Sequence, residues 1–394
     1  DLKENQKLQA YMDSIEAIKN YAGPENLKLF FMSLERTEKG ESGITRIGYF
    51  GDSMIEGDLM SKSLRQWMQE KYGGIGIGFM PITSMTAGFR TTIKHSFSDN
   101  WLYSSLPTGN KTDFLYGLSG EIFSIDSGTT ETWVEYGAKY SSFPTTKLFY
   151  GKNDSLEEKK MNTVLFQENS FDLVEKNTVN TLTLNNQSTT EVRLDFQFNY
   201  PQPIYGLSLA SNSGVIVDNF SSRGNSGMPL SAVSYSVLSQ FNTEMHYDLI
   251  ILQFGMNVLS GDMDYSWYKN SMKKVVAHYK AAIPTASILI VSVADKGSKN
   301  EDGEMETDPA IEPIVEAQRE MARESEVAFF NLYQAMGGKN SMIKWAEELE
   351  YANKDYTHFN YKGASAATQM IYNYLIEEYE KAKALNELQN EEVQ

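Results

Sequence analysis

No cysteine occurs in the 394 residues. Disulfides, thiolate nucleophiles and cysteine-ligated metals are excluded together. Histidine is nearly as scarce, with four residues and no pair at metal-ligand spacing, so no metal and no cofactor is expected. No apolar run approaches the length needed to cross a bilayer, and no signal peptide is visible. The chain opens on Asp1 rather than Met, which is read as room for a removed leader. The expectation is an exported protein, whether periplasmic, cell-surface or extracellular. Basic residues are outnumbered, with 35 Lys and Arg against 52 Asp and Glu and a net charge of −17. That balance argues against nucleic acid or anionic membrane as a partner, but not against neutral glycans or small esters.

What is present is an ordinary globular composition, 41% hydrophobic and 22% charged, long enough for about two domains. Residues 5–36 carry apolar positions at helical spacing (Leu8, Tyr11, Met12, Ile15, Ile18), broken near Gly23-Pro24, and predict an N-terminal helical extension over 1–43. "ITRIGYF" (44–50) predicts a strand and 56–72 a helix, with Leu59, Leu64, Trp67 and Met68 on one face. "GGIGIGFMP" (73–81) reads as a glycine-rich loop. From 92 to 203, abundant Ser, Thr, Asn and aromatics in alternating runs such as "VRLDFQFNY" predict an inserted all-β sandwich.

An α/β rhythm then returns, with strands expected at 204–209, 214–220, 247–254, 286–295 and 327–332 and a last helix over 361–388. Residues 44–91 and 204–394 together predict an α/β domain, a flavodoxin-like α/β/α sandwich with a parallel sheet. In that architecture ligand chemistry belongs at the carboxyl ends of the strands.

Ser53, in "RIGYFGDSMIEGD", lies just past the carboxyl end of the first core strand. A serine hydroxyl needs a neighbouring base to become a nucleophile. His95 sits at the insert boundary, His246 before a strand and His278 within a predicted helix. His358 differs, because "NKDYTHFNYKG" sets Asp355 three residues before it, in a turn where a carboxylate can fix the imidazole tautomer. A tetrahedral intermediate also needs donors. "YDLIILQF" ends in "GMN", presenting Gly255 and Asn257, and "GVIVDNF" ends in "SSRGNSG", presenting Gly224.

Each piece has an ordinary use as well. Gly-Asp-Ser alone is a turn, Asn257 suits a helix cap, Asp52 a turn bond, and Glu56 and Asp58 the positive end of a helix. Trp101, Trp133, Tyr136 and Tyr140 suit a β core better than a sugar platform. "GGIGIGF" follows a helix rather than a strand and lacks a Lys-Ser/Thr, so neither a P-loop nor a dinucleotide fingerprint is present.

In their order, "GDS", the glycine after the second strand, "GMN" and D-x-x-H before the last helix resemble the four blocks of the SGNH (GDSL-type) hydrolases. The chain is most similar to the peptidoglycan O-acetylesterase branch, which has a glycine-rich segment after the first helix and a carbohydrate-binding-like β module between the first two blocks. The resemblance implies Ser53 as nucleophile, His358 as base and Asp355 as its partner, with Ser53 N–H, Gly224 N–H and the Asn257 amide forming the oxyanion hole. It also implies an acylated carbohydrate as substrate. Met54 and Val258 depart from the residues frequent in the family, the latter replacing an acid. Acyl transfer to a sugar hydroxyl, or glycan binding without turnover, are the alternatives such a site leaves open.

Overall fold

The computed structural model describes residues 20–41, 43–109, 112–125, 131–153, 162–261 and 263–392. Leu8 to Ile18 of the expected N-terminal helix lie outside them; within them the first α-helix spans Lys28–Glu38.

Five strands form a parallel sheet: β1 (Ile44–Gly51), β2 (Gly214–Ser221), β3 (Leu249–Gln253), β4 (Ser287–Val291) and β5 (Ala328–Phe330), in the order β2-β1-β3-β4-β5. Both faces are covered, which is why β3 reads as an unbroken apolar run. Ile250 and Leu252 pack with helices Tyr235–Met245, Ser266–Ala282 and Ile311–Glu324. Leu249 and Ile251 pack oppositely, with Lys28–Glu38, Ser61–Tyr72 and Tyr361–Glu392. Each fully buried side chain of this size contributes about 1.5–3 kcal/mol. Register matters more for the site: Gly51 of β1 pairs with Ser221 of β2 and Gln253 of β3. The three strands end level, so the loops carrying Ser53, Gly224 and Asn257 emerge side by side.

A six-stranded sheet containing Leu102–Ser105, Glu121–Ser124, Phe143–Tyr150 and Asn180–Thr189 faces a five-stranded antiparallel sheet built from Ile93–Phe97, Thr132–Ala138, Asn162–Phe166, Asn169–Leu173 and Glu191–Gln197. The two share one apolar core that includes Val134, Leu148, Leu194 and Leu207.

Two strands differ from the sequence expectation. Ile204–Ala210, expected among the parallel strands, pairs antiparallel with Phe143–Tyr150 and Gly76–Met80. It is wholly buried because Leu207 faces the sandwich core while Tyr205 faces the core under the parallel sheet. A continuous apolar run therefore reports two covered faces, not parallel pairing. The "GGIGIGFMP" stretch is strand rather than loop over Gly76–Met80. Its glycines allow close approach of backbones: a Cβ on Gly78 would stand 2.7 Å from Val217 O, and one on Gly76 2.3 Å from Leu209 O. Asp218 anchors the crossing, accepting from Phe79 N–H at 2.8 Å, Tyr247 O–H at 2.9 Å and the Arg46 guanidinium at 2.9 Å.

The helix expected from 56 begins at Ser61, preceded by a single 3-10 turn over Glu56–Asp58. Asp58 does not sit at an open helix end. It is buried, accepting from Ser61 O–H at 2.6 Å and from Arg65 at 2.7 and 2.9 Å. Among the insert aromatics, Trp101 lies edge-on to Phe196 and Phe198 and donates its Nε1–H to Trp133 O, and Tyr136 is fully buried. Trp133 carries the Arg193 guanidinium 4.5 Å over its ring, while Tyr140 is exposed. Among the described residues, no helix is long and apolar enough to cross a membrane.

Candidate active site

The turn after β1 is held by an Asx bond, Met54 N–H to Asp52 Oδ1 at 3.0 Å, and by Ile55 N–H to Asp52 O. Ser53 projects from it half-buried, with its Oγ 3.0 Å from His358 Nε2. His358 Nδ1 lies 2.8 Å from Asp355 Oδ2, and the other Asp355 oxygen accepts the His358 backbone N–H at 3.0 Å. The carboxylate thus grips its own turn and orients the ring with the same side chain. Partial burial acts to raise the Asp355 carboxyl, but the bonds from His358 and Thr357 outweigh it and hold it below the ordinary aspartate value. A serine, an imidazole and a depressed carboxylate therefore form one hydrogen-bonded chain, drawn from residues 302 or more apart in sequence at one end.

The expected anion donors lie at the neighbouring strand ends. Gly224 has φ +73, the left-handed region that favours glycine, and a Cβ there would meet nothing within 4 Å. Within the protein itself the requirement for glycine here is conformational. Neither Ser53 N–H nor Gly224 N–H makes a hydrogen bond among the described residues. Asn257 is committed differently: its Nδ2 donates to Asp52 Oδ2 at 2.9 Å and to Asn225 O at 3.1 Å. It does not cap a helix through its side chain. Gly255, at φ +122, turns the chain out of β3.

The remaining histidines serve structure. His95 meets Ile82 O at 2.8 Å and stacks on Tyr136, with burial pushing it down to about 4. His278 meets Val233 O at 2.7 Å, and His246 ends a helix in the left-handed region.

Two features were not legible beforehand. Arg223 clasps Glu56 at 2.7 and 3.0 Å, tying the turn after Ser53 to the loop of Gly224. Asp52 is the buried acceptor for Asn257, and burial pushes its carboxyl up to about 6 against the bonds and the His358 charge that favour the anion. Between about pH 4 and 6 the folded state keeps a proton that the unfolded chain has released, so this group lowers stability as pH rises through that window. Asp52→Asn is therefore expected to gain stability relative to the parent by on the order of 2–3 kcal/mol between pH 4 and pH 7. Denaturant melts at several pH values check this; a pH-independent difference would show that Asp52 ionises normally.

The sequence profile of the GDSL-like Lipase/Acylhydrolase family matches residues 188–366, which include Gly224, Asn257, Asp355 and His358 but not Ser53. A comparison with curated proteins finds no match. Among solved structures, the chain is similar to a peptidoglycan O-acetylesterase, at TM-score 0.74 and 21% identity over 90% of this chain and 96% of that one. A family two carbohydrate esterase from Cellvibrio japonicus aligns at TM-score 0.29 and 9% identity over 73% and 98%. A salicylyl-acyltransferase from a tetracycline biosynthetic pathway aligns at TM-score 0.30 and 12% identity over 74% and 95%. Residues 188–366 thus resemble the GDSL-like lipase/acylhydrolases, and the chain shares its fold along nearly its whole length with the peptidoglycan O-acetylesterase structure.

Proposed function

We propose that this esterase removes acetyl or another short acyl group from a carbohydrate, with peptidoglycan the foremost substrate to test. The observation that carries the reading is the Ser53–His358–Asp355 chain at the level ends of β1, β2 and β3. Ser53 Oγ attacks the ester carbonyl as His358 Nε2 takes its proton, and His358 returns that proton to the departing sugar oxygen. Water then attacks the acyl-serine with His358 again as base, releasing the acid and free Ser53. Asp355 holds the ring with Nε2 free to accept and stabilises the imidazolium. Ser53 N–H and Gly224 N–H, both free of partners among the described residues, meet the oxyanion. Asn257 joins them by sharing an N–H that rests on Asp52 or Asn225 between turnovers.

The access to this site suits a polymer. The His358 and Asp355 side chains are 43% and 48% exposed, so a glycan reaches them without threading into a tunnel. Phe89 and Tyr361 stand open nearby, joined by the Tyr361 O–H to Phe89 O bond at 3.2 Å, with Tyr361 three residues beyond the base. Exposed apolar side chains beside a polar centre are what a sugar face covers. An exported setting belongs to this proposal, because a cell-wall polymer lies outside the cytoplasm. The test is acetate release from a panel of O-acetylated glycans, with peptidoglycan among them. Turnover of p-nitrophenyl acetate with no acetate from any glycan would refute the carbohydrate assignment.

A further inference from the structure

A cavity of about 330 Å³, enough for roughly one sugar ring, opens between the parallel-sheet domain and the sandwich. Glu56, Ser222 and Arg223 line it from the side of the Ser53 turn and the Gly224 loop, and Tyr103 and Glu121 line it from the sandwich. The remaining charged wall is Arg90. Arg90 is only 5% exposed, its Nη1 meets the Met80 sulfur at 2.7 Å, and its Nε has no partner among the described residues. Among the described residues it forms no ion pair within 4.0 Å.

The acids nearby are already engaged. Asp58 is bound by both Arg65 terminal nitrogens, and Glu56 is clasped by Arg223. Glu121 accepts from Tyr103 O–H at 2.8 Å, and burial pushes its carboxyl up to about 7, which weakens it as a counter-ion. Burial works against the Arg90 charge as well. Holding a buried guanidinium whose nearest anion, Asp58, is already bound by Arg65 costs several kcal/mol, and a fold that keeps one beside its catalytic turn has left a place for a further anion.

We propose that Arg90 binds a carboxylate carried by the sugar, so that the glycan this esterase acts on is an acidic one. The inference rests on the esterase reading above and narrows its substrate class to glycans with a free sugar carboxylate, which muramic acid offers only where no peptide is attached. One planar fork matches one carboxylate bidentately. A dianionic phosphate would put a second negative charge beside Glu56 and Glu121 with no second free cation to meet it. The charge of −17 over the whole chain disfavours acidic polymers in bulk, so recognition has to come from a local, buried cation such as this one.

The test compares N-acetylmuramic acid, its methyl ester and N-acetylglucosamine as competitors of p-nitrophenyl acetate hydrolysis by the full chain. The free acid is expected to inhibit roughly 10- to 100-fold more tightly than the ester, the range of a charge-assisted bond. Arg90→Gln is expected to erase that difference, whereas Glu121→Gln, which leaves the cation in place, retains it. Equal inhibition by acid and ester in the parent, a measurement that needs no folded variant, would overturn the proposal. So would a preference that survives Arg90→Gln. Calorimetric titration of the same three sugars separates this outcome from failure of the esterase reading, because binding of the acid is read without turnover.

Discussion

Ser53→Ala is expected to lower kcat/KM toward p-nitrophenyl acetate by roughly 10⁴- to 10⁶-fold, the scale seen when a serine nucleophile is removed from a triad. The fold should survive. The turn is held by Met54 N–H and Ile55 N–H on Asp52 and by Glu56 N–H on the Ser53 carbonyl, none of which uses the hydroxyl. Among the described residues the hydroxyl's one hydrogen-bond partner is the His358 ring, which is half-exposed and returns to solvent at little cost. Turnover within tenfold of the parent, in a variant melting at the same temperature, would remove Ser53 from the mechanism.

Asn257→Ala is expected to lower kcat by roughly 10²- to 10³-fold with little change in KM, because an oxyanion donor acts on charge that appears only in the transition state. The geometry adds a second expectation. Asn257 is the donor to Asp52 Oδ2, so its loss leaves a buried carboxylate with backbone N–H groups, those of Met54 and of Asp52 itself, as its hydrogen-bond donors among the described residues and drives that carboxyl further up. The destabilisation caused by Asn257→Ala should therefore grow as pH rises from 5 to 8. A rise in KM with kcat intact would make Asn257 a ground-state binding residue. A pH-flat stability loss would break its proposed link to Asp52.

Much of the frame follows from local pattern. β2 and β3 carry apolar residues at consecutive positions because both sides of the sheet are covered, and that pattern is written in "GVIVDNF" and "YDLIILQF" without reference to neighbours. The Asp355–His358 pair is equally local: a carboxylate three residues before an imidazole, in a turn, reaches both its ring and its backbone N–H. Ser53 at a strand end is likewise visible, since Gly-Asp-Ser breaks the apolar run there.

Tertiary structure alone decided the rest. Ile204–Ala210 has the composition of a parallel core strand, yet it pairs antiparallel beneath the sandwich, because two different cores press on its two faces. The glycines of "GGIGIGF" suggested a loop, but they are absent side chains where Gly76–Met80 crosses the backbones of β2 and Ile204–Ala210. Arg90 and Glu121, separated by some thirty positions, carry no motif. Their significance comes from sharing one cavity and from which neighbours are already engaged elsewhere. Sequence periodicity reports how many faces of an element are covered. It is silent on what covers them, because apolar burial is non-directional, and a partnerless buried charge exists only once every other partner has been placed.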